Sequence, residues 1–225
     1  MKGGYILNFT FLGKYFQYFI KGAEITIVLA FFAVLLGTIL GLVLTLLRRS
    51  KFKVVSFIGK AYVEFMRGTP LLVQIYIIYI GLPKLIGIDL PDMATGIIAL
   101  SLNSSAYVSE IIRAGIEAVD KGQTEAARSL GMSQRQAMID IVIPQAFKNI
   151  LPALGNEFIS VIKESSMVSV IGVAELMYNA GIVRGTTALG LEPVVVAAVI
   201  YFIITFTLTR VLGYVERRMK ASDIR

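Results

Sequence analysis

The sequence contains no cysteine, no histidine and no tryptophan in its 225 residues. Without cysteine, disulfide and thiolate chemistry are excluded. Without histidine, the most common metal ligand is missing, so a metal site and metal catalysis are not expected. Without tryptophan, anchoring at a membrane surface falls to tyrosine, lysine and arginine. No glycine-rich loop ends in Gly-Lys-Ser or Gly-Lys-Thr, so the chain is not expected to bind ATP itself.

Charge is also scarce, because 16% of the residues are charged while 56% are hydrophobic. This composition is too apolar for an ordinary soluble domain. The apolar residues fall into blocks of about twenty, which is the length that spans the hydrocarbon core of a bilayer. The net charge of +7 lies mostly at the ends of these blocks, which is typical of a membrane protein and not of a nucleic-acid surface. We therefore predict an all-α integral membrane protein and no nucleic-acid partner.

Five transmembrane helices are predicted, after an N-terminal interfacial amphipathic helix over the aromatic-rich residues 5–20. The predicted spans are 25–47, 71–82 with an interfacial lead-in at 54–66, 92–113, 146–172 and 193–214. Outside loops are expected at 83–91 and 173–191. No tandem repeat or soluble-domain linker interrupts the chain, so residues 1–225 are predicted to form one domain.

The basic residues predict the orientation of these spans. The predicted cytoplasmic side carries 16 of the 22 lysines and arginines: Arg48, Arg49, Lys51, Lys53, Lys60, Arg67, Arg113, Lys121, Arg128, Arg135, Lys148, Arg210, Arg217, Arg218, Lys220 and Arg225. The opposite orientation would place most of the basic charge outside. We therefore predict a multi-pass protein of the cell membrane, with the N-terminus outside and the C-terminus in the cytoplasm.

Glycine and proline mark two positions within the predicted spans. The Gly-Thr-Pro sequence at 68–70 is expected to break the helix between the interfacial lead-in and the second span. Gly37 and Gly41 form a GxxxG pair in the first span. Such a pair indicates either close helix packing or mere tolerance of glycine, and both interpretations stay open here.

A polar segment at 120–144 separates the third and fourth spans. Asp120 can cap a first helix, and Gly131 is expected to end it in a left-handed conformation. Ser133 and Gln136 have the spacing of a capping box that starts a second helix, which Pro144 should end or kink. Glu125 and Arg128 are spaced as a supporting ion pair. The segment therefore predicts a tight helix–turn–helix with a small-residue tip, suited to a groove on another protein.

Several motifs in this sequence resemble those of one transporter family. The EAA signature of permease subunits of ABC importers is matched by Glu125-Ala126-Ala127, Gly131, Ile141, Ile143 and Pro144, with Ile143 where leucine is more usual. Further segments resemble the polar amino-acid uptake subgroup of these permeases: residues 67–74, 103–107, 110–116, 156–159 and 163–166. The resemblance covers about residues 14–225, which is nearly the whole chain.

The resemblance implies the transmembrane subunit of a type I ABC importer. Such a permease pairs with an identical or related second permease chain and docks on two ATP-binding cassette subunits. It receives an amino acid from an extracytoplasmic substrate-binding protein. ATP and Mg²⁺ are expected on the partner subunits, with no cofactor and no enzymatic activity in this chain. The residues implied in ATPase coupling are Glu125, Ala126, Ala127, Leu130, Gly131, Met132 and Ser133.

A candidate substrate site lies at the middle of the third and fourth spans. Asn103 and Glu157 are near the two midpoints, so both should project at mid-membrane depth. A charge facing lipid there costs about 3 kcal/mol or more, so Glu157 should face a cavity or a cation. In the functional interpretation, Glu157 receives the ammonium or basic side chain of an amino acid while Asn103 and Ser105 bind its carboxylate. The full candidate set is Asn103, Ser104, Ser105, Glu157 and Gln74.

A structural interpretation of the same carboxylate stays open beside the functional one. Lys163 could pair with Glu157 or Glu164, which share a helix face two turns apart, and merely hold helices together. If Glu157 instead binds substrate, a basic amino acid such as arginine is favoured, with glutamine next, because a buried carboxylate favours a cationic partner.

The sequence therefore predicts a permease of an ATP-driven importer that moves a polar amino acid by alternating access, with nucleotide-driven motion passed through residues 125–144. The alternative is an ion-gradient-driven secondary amino-acid transporter, which would usually show inverted repeats and more spans. An intramembrane enzyme is a weaker alternative, because only Glu157 with a serine could supply its chemistry.

Overall fold

A computed structural model describes the backbone of residues 7–221 and the side chains of residues 7–219. Every regular element in this range is helical, which confirms the predicted class. The α-helices are α1 (Leu12–Arg48), α2 (Lys53–Gly68), α3 (Leu71–Ile86), α4 (Asp92–Glu117), α5 (Lys121–Ser129), α6 (Gln134–Gln136), α7 (Ile143–Glu164), α8 (Leu176–Thr187) and α9 (Glu192–Ala221). A π-helical turn (Ala137–Val142) precedes α7, and a 3₁₀ segment (Ser165–Ile171) follows it.

The first helix is longer than the sequence suggested. α1 runs unbroken for 37 residues, so residues 12–20 continue the first span and the prediction of a separate N-terminal helix is wrong in this range. Tyr5 and Ile6 of that predicted helix lie outside the described residues, as does Arg225. Gly22 lies within α1 and allows a close contact with the start of α8. A Cβ built on Gly22 would lie 2.8 Å from the Cα of Leu176.

The glycine pair of α1 marks close packing against α4. A Cβ built on Gly37 would lie 3.0 Å from the Cβ of Ser104, and one built on Gly41 would lie 2.7 Å from Cγ1 of Val108. Real Cβ atoms essentially never approach a neighbour more closely than 3.0 Å. The packing interpretation is therefore confirmed, and α4 is held directly against α1.

The predicted break at residues 68–70 is confirmed. α2 ends at Gly68, Thr69 and Pro70 are extended, and α3 then leaves at an angle of 113° to α2. Thr69 Oγ1 donates to the Phe65 carbonyl at 2.8 Å and so closes the end of α2.

Of the described helices, three are long and apolar enough to cross a membrane: Leu12–Arg48, the run Gln134–Ile171 that includes α7, and Glu192–Met219. The bent pair α2–α3 would be a fourth span. The fold is therefore all-helical, with three or four candidate membrane spans among the described helices.

One helix was missing from the sequence prediction. Residues 173–191 were expected to be a loop, but they contain α8. Glu175 caps this helix, because its carboxylate accepts from the backbone N–H of Met177 at 2.9 Å and of Tyr178 at 2.7 Å. Tyr201 on α9 donates to the same carboxylate at 2.6 Å. The hydrogen bond from Tyr201 comes from a distant part of the chain, so local sequence patterns do not show it.

The polar segment folds largely as its caps predict. The Asp120 carboxylate accepts from the Gly122 N–H at 2.6 Å, and Gly131 has φ +86°. Ser133 and Gln136 form both hydrogen bonds of a capping box. These features confirm the helix–turn–helix between α5 and α6.

Two details of this segment differ from the prediction. Arg128 does not pair with Glu125 but donates to the Met132 carbonyl at 2.9 Å, which closes the turn. Of the two outcomes predicted for Pro144, an end or a kink, an end of the second helix is wrong, since the helical run continues from Gln134 to Ile171. The π-helical turn directly before Pro144 shifts the hydrogen-bond register, so the missing proline N–H is accommodated.

Candidate functional site

Glu157 on α7 contacts α4 through a direct hydrogen bond. Ser104 Oγ donates to Glu157 Oε1 at 2.7 Å, and Ser104 is fully buried. The half-buried Glu157 makes no ion pair among the residues that the structure describes. The structural interpretation predicts an ion pair of Lys163 with Glu157 or Glu164, which is absent from the same set, and Lys163 is exposed. A carboxylate with one hydroxyl partner keeps acceptor capacity for a further donor.

Asn103 and Gln74 contact each other and not Glu157. Asn103 Nδ2 donates to Gln74 Oε1 at 2.8 Å. Gln74 Nε2 in turn donates to the Met66 carbonyl at 2.8 Å and to Thr69 Oγ1 at 2.8 Å. These two buried amides therefore tie α4 to both sides of the break between α2 and α3.

Ser105 contacts α2 and not Glu157. Its hydroxyl donates to the Leu102 carbonyl at 2.6 Å and lies 3.2 Å from the Tyr62 hydroxyl on α2. Tyr62 also donates to the Leu102 carbonyl at 3.0 Å. Residues 103–105 thus point in different directions, with Ser104 towards α7 and its two neighbours towards α2 and α3.

The tip of the polar segment is open to contact. Leu130 is 85% exposed, so its apolar side chain is open to contact with another protein. Glu125, Ala126, Gly131 and Ser133 are also exposed. Ala127 is buried and Met132 is half-buried, so these two pack the tip from within. The tip presents an apolar side chain on a short polar scaffold, as a docking element requires.

A charged cluster near the C-terminal end of α4 was not predicted from the sequence. The Glu110 carboxylate lies 3.0 Å from Arg48 Nη1 and 4.0 Å from Arg67 Nη1, and it also pairs with Arg113. The spacing of Glu110 and Arg113 by three residues was a visible signal for one of these pairs. The contacts with α1 and α2 could be found only from the fold.

The chain matches a protein family over most of its length. Residues 33–221 match the family described as the binding-protein-dependent transport system inner membrane component. The chain belongs to this family. The fold described above is thus that of a permease subunit.

Similar proteins agree with this assignment. The chain is 43% identical over 217 residues to the arginine transport system permease protein ArtQ of Bacillus subtilis (strain 168), covering 96% of this chain and 99% of that protein. It is 42% identical over 205 residues to a putative glutamine transport system permease protein GlnP of Rickettsia bellii (strain RML369-C), covering 91% and 94%.

Solved structures show the same fold. The chain aligns with a crystal structure of an amino acid ABC transporter with histidines at a TM-score of 0.91 and 48% identity, covering 95% of this chain and 100% of that one. An inward-facing structure of the MetNI methionine ABC transporter aligns at a TM-score of 0.76, covering 91% and 97%. At 16% identity, this second match shows the fold alone.

The chain is therefore a multi-pass membrane permease of an ABC amino-acid importer, a transport component and not an enzyme. The ion-gradient alternative finds no support among these relatives. The family implies an ATP-binding partner and a substrate-binding partner, and ATP is bound by the former.

Proposed function

We propose that this permease moves a polar amino acid, with a basic one such as arginine favoured and glutamine next. The observation that carries the proposal is the Glu157 carboxylate, which lies within a candidate span and accepts a 2.7 Å hydrogen bond from buried Ser104. Within the described residues no cation neutralises it. A cationic substrate group would supply that charge, whereas the amide of glutamine would supply only a hydrogen bond. The arginine transport permease and the glutamine transport permeases among the relatives fit both substrates.

The substrate site that we propose contains Glu157 and Ser104, with Asn103, Ser105 and Gln74 beside them. In the present conformation the last three are engaged by partners within the chain. Their contact with a substrate carboxylate therefore requires α2 and α3 to move relative to α4. The bend at residues 68–70 is the natural place for such a movement, since alternating access needs a hinge.

Five spans are the arrangement that we propose. Three single helices and the bent pair α2–α3 account for four of them. α4 would be the fifth, because its 26 residues correspond to about 39 Å of helix. Its central polar residues lower its hydropathy, but they are buried against α1, α3 and α7, where a polar side chain does not meet lipid. Residues 1–225 would then form one transmembrane domain.

The tip between α5 and α6 is proposed to dock on the ATP-binding subunits. The proposed coupling residues are Glu125, Ala126, Ala127, Leu130, Gly131, Met132 and Ser133. Support comes from the exposed Leu130 and from the left-handed turn at Gly131, which shapes the tip. Two ATP-binding subunits would serve two permease chains, identical or related, with the basic ends of the spans in the cytoplasm, the N-terminus outside and the C-terminus inside.

Reconstitution tests this proposal. The permease would be purified with its ATP-binding subunits, incorporated into proteoliposomes and supplied with the substrate-binding protein and a panel of amino acids. We expect ATP-dependent uptake that is greatest for arginine, together with arginine-stimulated ATP hydrolysis. Uptake driven by an ion gradient without ATP would contradict the transport mechanism. Strong uptake of glutamine alone would contradict the preference for a basic substrate.

A further inference from the structure

Four basic side chains meet at one end of the helix bundle. Arg48 and Arg49 at the end of α1, Lys60 on α2 and Arg113 on α4 line a cavity of about 260 Å³. Within the described part of the chain, Glu117 is the one carboxylate that lines it. This basic pocket lies at the ends of the spans, where the headgroups of a bilayer are located.

Arg48 and Arg113 are held by ion pairs within the chain, whereas Arg49 and Lys60 are available to bind a ligand. Arg48 Nη1 donates to Glu110 at 3.0 Å and to Ser109 Oγ at 3.1 Å, while Arg113 pairs with both Glu110 and Glu117. The side chains of Arg49 and Lys60 make no hydrogen bond or ion pair with the described residues. The lining of the basic pocket contains four cations and one carboxylate, so it carries a net charge of +3.

The position of Lys60 is set by a contact between α1 and α2. Ser56 Oγ donates to the Arg48 carbonyl at 2.7 Å, and a Cβ built on Gly59 would lie 3.1 Å from Cγ of Arg48. Lys60 is one turn beyond Ser56 on the same face of α2, so the same contact brings it beside the end of α1. The basic pocket is therefore built into the fold.

An apolar groove continues from the basic pocket into the bundle. It has a volume of about 520 Å³ and lies between α1, α4 and α7. Thr45, Arg49 and Ile116 line both the groove and the basic pocket, so the two are continuous. The remaining lining is almost entirely aliphatic and aromatic, and includes Leu42 and Phe147.

We propose that the basic pocket and the apolar groove together bind one anionic phospholipid. The phosphate would lie between Arg49 and Lys60, and an acyl chain would follow the groove past Leu42 and Phe147. A polar amino acid does not suit a groove with this lining, and a soluble anion would leave the groove empty. Basic pockets between membrane helices are suited to anionic headgroups, and a lipid alone supplies both the negative charge and the long apolar chain.

Native mass spectrometry of the purified permease–ATPase complex tests this proposal. The complex would be mixed with phosphatidylglycerol or with phosphatidylcholine of the same acyl chains. We expect retention of phosphatidylglycerol by the wild type, and a loss of about 30-fold in its affinity in the double variant Arg49→Gln, Lys60→Gln. Each basic side chain near an anionic headgroup raises the binding affinity about fivefold, so the loss of two side chains lowers it by about 30-fold. Neither residue has a partner to lose, so the variant should still fold.

The matched control is the double variant Lys51→Gln, Lys53→Gln, which removes the same charge from neighbouring residues that do not line the pocket. This control variant should bind phosphatidylglycerol like the wild type. The double variant Arg49→Lys, Lys60→Arg keeps both positive charges and should also bind like the wild type. Equal binding of the two lipids, or an equal loss in the control, would overturn the proposal, because either result indicates a non-specific charge effect. Displacement of the lipid by millimolar inorganic phosphate would also overturn it, by indicating a site for a free anion.

A second pair of variants tests the groove. Leu42 is 50% exposed and lines the groove, whereas Ile39 is similarly exposed on the same helix and does not. Leu42→Trp should fill the groove and reduce phosphatidylglycerol retention, while Ile39→Trp should not. Equal retention in both variants would overturn the acyl-chain part of the proposal. So would a crosslink through the groove that joins two copies of the permease, since the occupant would then be a protein.

Discussion

Ser104 on α4 donates a hydrogen bond of 2.7 Å to Glu157 on α7, and this contact joins the two helices that flank the polar segment at 120–144. Ser104 is also the residue against which Gly37 of α1 packs. A displacement of the polar segment relative to α1 would therefore act directly on the surroundings of the Glu157 carboxylate. This contact is the physical link that we propose between the ATPase and the substrate.

The turn at Gly131 gives the first prediction. Its φ of +86° is costly for a β-branched residue, although no atom lies within 4 Å of a Cβ built there. Gly131→Val should therefore lower ATPase docking and substrate-stimulated ATP hydrolysis without affecting membrane insertion. Gly131→Asn is the matched control and should stay close to the wild type, because asparagine tolerates this conformation. Wild-type transport by the valine variant at equal expression would show that the turn does not transmit motion.

The glycine contact between α1 and α4 gives the second prediction. Gly41→Ala would place a Cβ 2.7 Å from Val108, and such overpacking costs about 1–3 kcal/mol. We expect a lower unfolding temperature of the purified complex in detergent. Gly13→Ala on the same helix has no neighbour within 4 Å and should leave that temperature unchanged or slightly higher. Equal shifts in the two variants would contradict the close packing.

The amide pair at the helix break gives the third prediction. Gln74→Leu removes the hydrogen bonds to Met66, Thr69 and Asn103, and the buried groups left behind should cost about 1–3 kcal/mol. Thermal unfolding of Gln74→Leu, Asn103→Leu and the double variant measures the coupling between the two amides. We expect the double variant to lose less than the sum of the single variants. Unchanged stability in all three would indicate that these amides serve the substrate alone.

The orientation of the chain gives the fourth prediction. The sequence contains no cysteine, so a single introduced cysteine reports its own side. Thr186 on α8 and Lys51 after α1 are both exposed. In intact cells, an impermeant thiol reagent should label Thr186→Cys and leave Lys51→Cys unlabelled. The reverse pattern would overturn the proposed topology, and labelling after cell lysis controls for accessibility.

Local chemistry explains which parts of this fold the sequence could predict. The caps at Asp120 and Ser133, the left-handed Gly131 and the break at 68–70 depend on neighbouring residues, and all are present in the structure. α8 was missed because its cap, Glu175, is not among the residues usual at an N-cap, and because its contact with Tyr201 comes from a distant helix. The continuity of α1 was missed because Lys14 and Lys21 interrupt the apolar pattern, whereas the helix runs through both.

The candidate site was harder to predict in detail. Asn103, Ser104 and Ser105 were all expected to serve the substrate, but successive residues on a helix point about 100° apart. Which of them faces Glu157 depends on the rotation of α4, and the contact with Gly37 fixes that rotation. The sequence thus predicted a polar centre at mid-membrane depth, whereas only the packed helices show that Ser104 is the partner of Glu157.

Substitution of Glu157 is the most direct test of this account. Glu157→Gln keeps the shape and can still accept from Ser104, but it removes the charge offered to a cationic substrate. A hydrogen bond to a charged group contributes about 1.5–3 kcal/mol, so arginine affinity should fall by about one to two orders of magnitude. The measurement is ATP-dependent arginine uptake into proteoliposomes, with Glu164→Gln on the same helix as the control for charge. We expect loss of uptake in Glu157→Gln alone, with normal assembly and stability. Restoration of stability and uptake by the double variant Glu157→Gln, Lys163→Met would contradict the substrate role.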